Sequence, residues 1–127
     1  MSYGFSQIVD LPFDATVEKV TSELPKEGFG VLTTIDVKET MKKKLDVDFR
    51  QYKILGACNP PFAYKALQAE EEIGLLLPCN VIVYEKEGKS IVAAFDPMSM
   101  SRIMENPAIQ PIAEEMKSRL ERVIAAV

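Results

Sequence analysis

The chain has 127 residues, of which 47% are hydrophobic and 27% are charged, and its formal net charge is −4. This length and composition predict one folded domain spanning residues 1–127, large enough to bury a core without a metal ion or a disulfide. The acidic balance argues against a nucleic-acid partner, whose phosphates require a basic surface, and against electrostatic docking on an anionic membrane.

The absence of histidine limits the chemistry of the chain most strongly. Histidine is the usual acid–base group near neutral pH, so neither a Ser-His-Asp nor a Cys-His mechanism can be assembled within one chain. A zinc site that uses histidine is excluded for the same reason. We predict no metal site and no cofactor.

The distribution of apolar residues and cysteines predicts a cytoplasmic protein. No apolar run approaches the ~20 residues of a membrane-spanning helix, and residues 1–10 lack the basic and apolar regions of a signal peptide. The two cysteines have no disulfide-framework spacing, which fits a reducing compartment.

The first quarter of the chain predicts a strand followed by a helix. Residues 3–9 mix aromatic and β-branched side chains, which favour a strand. Asp14 is the expected N-cap of the helix, and Pro25 and Gly28 end it.

The next segment predicts a second strand and a short helix. From Phe29 the apolar pattern has a period of two, so Val31 and Thr33 are expected on one face of a strand. Residues 37–45 carry apolar side chains every four positions, which predicts a short helix with a lysine-rich outer face.

The second half of the chain begins with a predicted strand over residues 52–58. Asn59 at the N-cap and Pro60 at the first helical position then predict a helix that extends to about Ala69. Residues 70–72 are three glutamates and are expected to form an acidic loop or the frayed end of that helix.

A β-hairpin and a long helix complete the prediction. Residues 79–84 and 90–95 are rich in β-forming side chains, and the turn between them contains Gly88. Residues 98–104 predict a short helical turn, and residues 108–127 carry an apolar stripe typical of the longest helix in the chain.

This order of elements predicts an α+β fold with two layers, in which helices pack on one face of a mostly antiparallel sheet. Polar side chains on the second strand suit a sheet with one face open to water or covered by another subunit. The alternative is a mixed sheet with helices on both faces.

Both cysteines are followed directly by asparagine, at two predicted strand ends. Cys58 and Asn59 close the third strand, and Cys79 and Asn80 open the next strand. If these two strands are antiparallel, both dipeptides lie at the same end of the sheet, where Asp96 at the end of the hairpin is also expected.

Three interpretations of the Cys-Asn pair remain open. In the simplest, the cysteines are small buried hydrophobic residues and the asparagines satisfy the backbone. In the second, a small molecule binds at the sheet end, with the amides of Asn59 and Asn80 and the carboxylate of Asp96 as polar groups. In the third, the thiols perform redox chemistry or sensing, or two thiolates hold a soft metal ion. The position of Cys58 before a helix would favour this interpretation by lowering its pKa.

Several motifs resemble a family of bacterial and archaeal proteins catalogued as domain of unknown function 302. The resemblance covers nearly the whole chain and rests on GFGVL at residues 28–32, IDV at 35–37, YKILGACNP at 52–60, GLLLPCNV at 74–81 and DP at 96–97. It implies a curved antiparallel sheet with helices on one side, similar to one half of the TATA-box-binding proteins. It also implies a homodimer, while no activity or catalytic residue follows from it.

The sequence therefore predicts a small-molecule-binding domain whose candidate site residues are Cys58, Asn59, Cys79, Asn80 and Asp96. The alternatives are a thiol-based redox or sensing protein and a structural or interaction dimer. Whether the protein is an enzyme stays open.

Overall fold

Five strands form one antiparallel sheet in a computed structural model that describes all residues, 1–127. The strands are β1 (Gly4–Val9), β2 (Gly30–Asp36), β3 (Tyr52–Cys58), β4 (Cys79–Lys86) and β5 (Lys89–Phe95). Their order across the sheet is β1-β5-β4-β3-β2. Every pair of neighbouring strands is antiparallel, so β1 and β2 are the two edges.

Five α-helices and two short 3-10 helices connect these strands. They are α1 (Phe13–Glu23), α2 (Val37–Leu45), α3 (Pro60–Ala69), α4 (Met98–Ile103), α5 (Ile109–Ala126), and the 3-10 helices Leu24–Glu27 and Glu71–Leu76. None of them is long and apolar enough to cross a membrane.

The main hydrophobic core lies between one face of the sheet and helices α1 and α5. Alternate residues of the central strands, among them Val81, Val83 and Val92, are fully buried on this face. Met116 and Leu120 of α5 pack against the same core. The opposite face carries no helix, and this arrangement confirms the predicted two-layer α+β class over the mixed-sheet alternative.

The β4–β5 hairpin closes through a two-residue turn, as its glycine predicts. Glu87 has a φ of 51° and Gly88 a φ of 78°, and positive values at both positions are typical of a type I′ turn. The strands reach further toward this turn than the sequence indicates, because Lys86 pairs directly with Lys89.

Helix α1 begins earlier than predicted. Pro12, and not Asp14, is its N-cap, and the amide of Thr16 donates to the Pro12 carbonyl at 2.9 Å. The Thr16 hydroxyl also donates to that carbonyl at 3.0 Å, and no side chain caps the free amides of the first turn.

Strand β2 does not keep the predicted alternation. Val31 pairs with Ala57 but Thr33 pairs with Gly56, so Leu32 has no partner and forms a bulge. Because Ala57 and Gly56 face opposite sides of the sheet, Val31 and Thr33 do so as well. Residues 70–72 are neither a simple loop nor a frayed end of α3, since the 3-10 helix Glu71–Leu76 begins there.

Candidate functional site

The two Cys-Asn dipeptides meet at one end of the sheet. Strand β3 ends at Cys58 and β4 begins at Cys79, and the two strands are antiparallel neighbours in which Ala57 pairs with Cys79. Strand spacings place the Cα atoms of Cys58 and Cys79 within about 7 Å of each other. The predicted antiparallel placement is therefore correct.

A cavity of about 260 Å³ opens at this sheet end, between the strand ends and helix α3, and we call it the sheet-end cavity. Its walls are mainly apolar and include Ala57 of β3, Ala63 and Leu67 of α3, and Leu77 and Pro78 before β4. Cys58, Asn59 and Cys79 line it, and no charged residue does.

Both thiols in the sheet-end cavity are held in the protonated form. Burial raises the pKa of Cys79 to about 12, and the neighbouring Cys58 adds to the rise. Burial also raises the pKa of Cys58, which is half-buried. The expected lowering of the Cys58 pKa by the following helix is wrong, because desolvation disfavours the thiolate.

Asn59 occupies the N-cap position of α3, as predicted, but its side chain makes no capping hydrogen bond. Its Nδ2 donates instead to the carbonyl of Glu27, at 3.3 Å, across 32 residues of chain. The residue is only 3% exposed, and the protein contains no buried side-chain nitrogen or oxygen without a hydrogen-bond partner, so Oδ1 is not a stranded acceptor. Since Nδ2 fixes the amide, Oδ1 is the polar atom that Asn59 offers to the cavity it lines.

The carbonyl that holds Asn59 is itself fixed by α5. Arg119 Nη1 donates to the Glu27 carbonyl at 3.0 Å, and its guanidinium lies over the ring of Phe62 at 5.2 Å. Gly28 follows with a φ of 85°, and a Cβ there would stand 3.0 Å from Asn59 Nδ2. The start of α3, the Arg119 side chain of α5 and the turn at Gly28 therefore set the position of the Asn59 amide.

Asn80 lies at the same end of the sheet but not in the sheet-end cavity. Neighbouring residues of a strand face opposite sides, and Cys79 is buried toward the helices. Asn80 is accordingly exposed on the open face, where it lines a different depression with Ile82 and Phe95.

Asp96 is also at this end of the sheet, but its carboxylate has structural partners. Its Oδ1 accepts a hydrogen bond from the amide of Met98 at 2.9 Å, at the start of α4. Its Oδ2 forms an ion pair with Lys117 of α5 at 3.2 Å. Asp96 does not line the sheet-end cavity.

Two residues that line this cavity could not be predicted from the sequence. Leu32 reaches it through the β2 bulge, and its 66% exposure places it at the mouth. Met116 reaches it from α5, more than thirty residues beyond Cys79. The apolar stripe of α5 indicated that Met116 is buried, but it did not indicate which cavity it would line.

Comparisons with known proteins agree with this architecture. The family model described as domain of unknown function DUF302 matches residues 5–127. The crystal structure of an uncharacterized conserved protein DUF302 from Bacillus stearothermophilus is similar over 99% of this chain and 98% of that chain, with 29% sequence identity and a TM-score of 0.92. No curated protein matches the chain.

Proposed function

Because the chain belongs to the DUF302 family, a domain of unknown function, we propose a function from its own geometry: it binds a small, uncharged, largely apolar molecule in the sheet-end cavity. Cys58, Asn59 and Cys79 are the candidate ligand-contacting residues. Asn80 and Asp96 belong to the surroundings of the site and not to its lining.

The observation that carries this proposal is a fixed amide in an apolar cavity. Ligand pockets are lined mainly by apolar side chains, with a small number of precisely placed polar groups. Asn59 Nδ2 is held by the Glu27 carbonyl, so Oδ1 is the acceptor that the residue offers to the cavity. A hydroxyl or amine of a bound molecule donates to it.

The walls define the rest of the ligand. The lining contains no charged residue, and both thiols stay protonated at neutral pH, so an ionic ligand finds no counter-charge. The volume of about 260 Å³ is just below the usual range for pockets that hold drug-sized molecules. The ligand is therefore a small hydrocarbon body that carries one hydrogen-bond donor.

Thiol redox chemistry is less well supported than binding. Reactive cysteines have a lowered pKa and an electropositive setting, whereas burial raises the pKa of both Cys58 and Cys79. Two protonated thiols beside apolar walls contribute soft, polarizable contact surface to a ligand.

Cyclohexanol is a suitable probe because it is uncharged, apolar and carries one hydroxyl donor. Titration of ¹⁵N-labelled protein is expected to shift the amide signals of Cys58 and Asn59 with a Kd of about 1 mM. Methylcyclohexane, which lacks the donor, is expected to shift them much less.

A pair of alanine variants tests whether the cavity is the site. Ala63→Leu fills the cavity from α3, and it is expected to abolish the cyclohexanol-dependent shifts. Ala125→Leu makes the same change at an exposed position of α5 and is expected to leave them unaltered. Shifts that persist in Ala63→Leu, or that never appear near Cys58, would overturn the proposal.

We also propose a homodimer, for which the uncovered edge formed by β2 and α2 is the supporting observation. Strand β2 is an edge strand with unpaired backbone groups, and no residue of α2 is buried. Large apolar side chains are exposed along this edge, namely Leu32, Ile35, Leu45, Val47 and Phe49. A second copy that covers them would remove this apolar surface from water.

A further inference from the structure

The open face of the sheet contains a depression whose floor is made of unusually small residues. Ser6 of β1 pairs with Ala93 of β5, and Gly4 is the outward-facing residue next to Ser6 along β1. None of these three carries more than two side-chain heavy atoms. We call the depression the open-face trough, and its volume is about 490 Å³.

Aromatic rings form the walls of the open-face trough. Tyr52 of β3 pairs with Tyr84 of β4, and their rings stack with centroids 5.4 Å apart and planes 14° from parallel. Phe95 and Tyr3 border the trough at the other end. The trough is therefore concave because its small floor residues lie among large planar side chains.

The polar atoms around the trough are unpartnered within the chain. None of the hydroxyls of Tyr3, Tyr52 and Tyr84 forms a hydrogen bond to another residue, although side chains elsewhere do so extensively. Burial raises the pKa of Tyr52, and the phenols of Tyr84 and Tyr3 add to the rise, which keeps the hydroxyl a donor. The exposed amide of Asn80 stands at the same end as Phe95.

We propose that the open-face trough binds a planar, uncharged aromatic molecule of one or two fused rings that carries a hydrogen-bond acceptor. No charged side chain lines the trough, so no side-chain ion pair selects the ligand. The tyrosine rings favour offset-stacked or edge-to-face contact with another aromatic ring. Their hydroxyls then donate to the acceptor of the ligand, and this hydrogen bond sets the orientation of the ligand in the trough.

This site is separate from the sheet-end cavity. Cys79 faces the helices and Asn80 faces the trough, so the two cavities lie on opposite sides of β4. The ligand classes also differ, since the trough offers phenol donors while Asn59 offers an acceptor. Occupation of one site does not require occupation of the other.

Coumarin is the probe, because it has two fused rings, a lactone carbonyl and no donor. Titration into ¹⁵N-labelled protein is expected to shift the amide signals of Ser6, Asn80 and Ala93 and to leave Cys58 unchanged. Ala93→Leu raises the trough floor, and it is expected to weaken coumarin binding at least about tenfold.

Tyrosine variants give a second measurement that does not depend on how Ala93→Leu folds. Tyr84→Phe keeps the ring and removes one donor, and a loss of about three- to tenfold in affinity is expected. Tyr64→Phe makes the same change on the exposed face of α3, away from the trough, and is expected to have no effect.

Three outcomes would overturn the proposal. In the first, the trough amide signals do not shift up to the solubility limit of coumarin. In the second, Tyr84→Phe and Ala93→Leu bind coumarin as tightly as the unaltered chain. In the third, the trough amide signals shift with protein concentration alone, which identifies a second copy of the chain as the occupant of this face.

Discussion

At the scale of the residue, two identical dipeptides have different environments. Asn59 is buried and tied to the Glu27 carbonyl, whereas Asn80 is exposed on the open sheet face. Cys79 is fully buried and Cys58 is half-buried. Repetition in the sequence therefore does not indicate repetition in role, and substitutions at equivalent positions of the pair are expected to differ in effect.

The asparagines provide a matched pair of isosteric substitutions. Asn59→Asp replaces the Nδ2 donor with an acceptor that faces the Glu27 carbonyl, so a loss of about 2–3 kcal/mol in the free energy of unfolding is expected. Asn80→Asp is expected to change it by less than about 0.5 kcal/mol. Urea denaturation measures both, and equal effects would contradict the assigned role of Asn59.

The thiols are expected to react slowly with iodoacetamide at pH 7.5. Because burial raises the pKa of both, the thiolate fraction of Cys58 is below that of a free cysteine, and Cys79 is expected to react only after unfolding. Mass spectrometry of the alkylated peptides measures each rate. A Cys58 that reacts faster than free cysteine would instead support thiol redox or sensing.

Cys79 also predicts a pH dependence of stability. Its pKa is about 12 in the folded chain and near 8.5 in the unfolded chain. The contribution of the protonated thiol to the free energy of unfolding is therefore complete below pH 8.5 and is lost as the pH rises toward 12. The expected slope is at most about 1.4 kcal/mol per pH unit. Cys79→Ala is expected to reduce this loss, and identical slopes in both proteins between pH 8.5 and 10.5 would contradict it.

At the scale of the element, the sequence predicted those segments whose local signals agree with their tertiary setting. The bounds of β3 and α3 are correct, because Asn59 and Pro60 mark a boundary that the fold retains. The start of α1 and the β2 bulge were missed. Helix α1 begins without a side-chain cap, and the bulge is set by the pairing of β2 with β3 on either side of Leu32.

Alanine substitutions at two glycines test whether the β4–β5 turn requires a positive φ. Gly88 has a φ of 78°, so Gly88→Ala is expected to lower the free energy of unfolding by about 1–2 kcal/mol. Gly74 has a negative φ and no atom within 4 Å of an added Cβ, so Gly74→Ala is expected to be neutral or to stabilise by about 0.4–1 kcal/mol. Thermal unfolding measures both, and a neutral Gly88→Ala would contradict the turn assignment.

At the scale of the whole molecule, topology brought together only part of the predicted site. Both Cys-Asn dipeptides lie at one sheet end, as predicted, because strand order fixes which ends meet. Cys79 and Asn80 nevertheless face opposite sides of the sheet, as alternation along a strand requires. The partners of Asp96 and the approach of Met116 depend on how α4 and α5 pack, which no local pattern specifies.

The assembly of the molecule is predicted to be dimeric. Ile35 is 48% exposed on the β2–α2 edge, and Ile35→Lys places a charge in the proposed contact, so dissociation is expected. Sedimentation at micromolar concentration is expected to give a dimer for the unaltered chain and a monomer for the variant. A single species of 14.2 kDa for the unaltered chain would contradict the prediction.

The central claim is that the sheet-end cavity binds a small apolar molecule through Asn59, and a crystal structure of the protein with cyclohexanol tests it most directly. The predicted result is a cyclohexane ring between Ala63 and Cys58, with its hydroxyl about 2.8 Å from Asn59 Oδ1. A cavity without cyclohexanol at a saturating concentration, or Asn59 Oδ1 bonded to another protein group, would contradict the account.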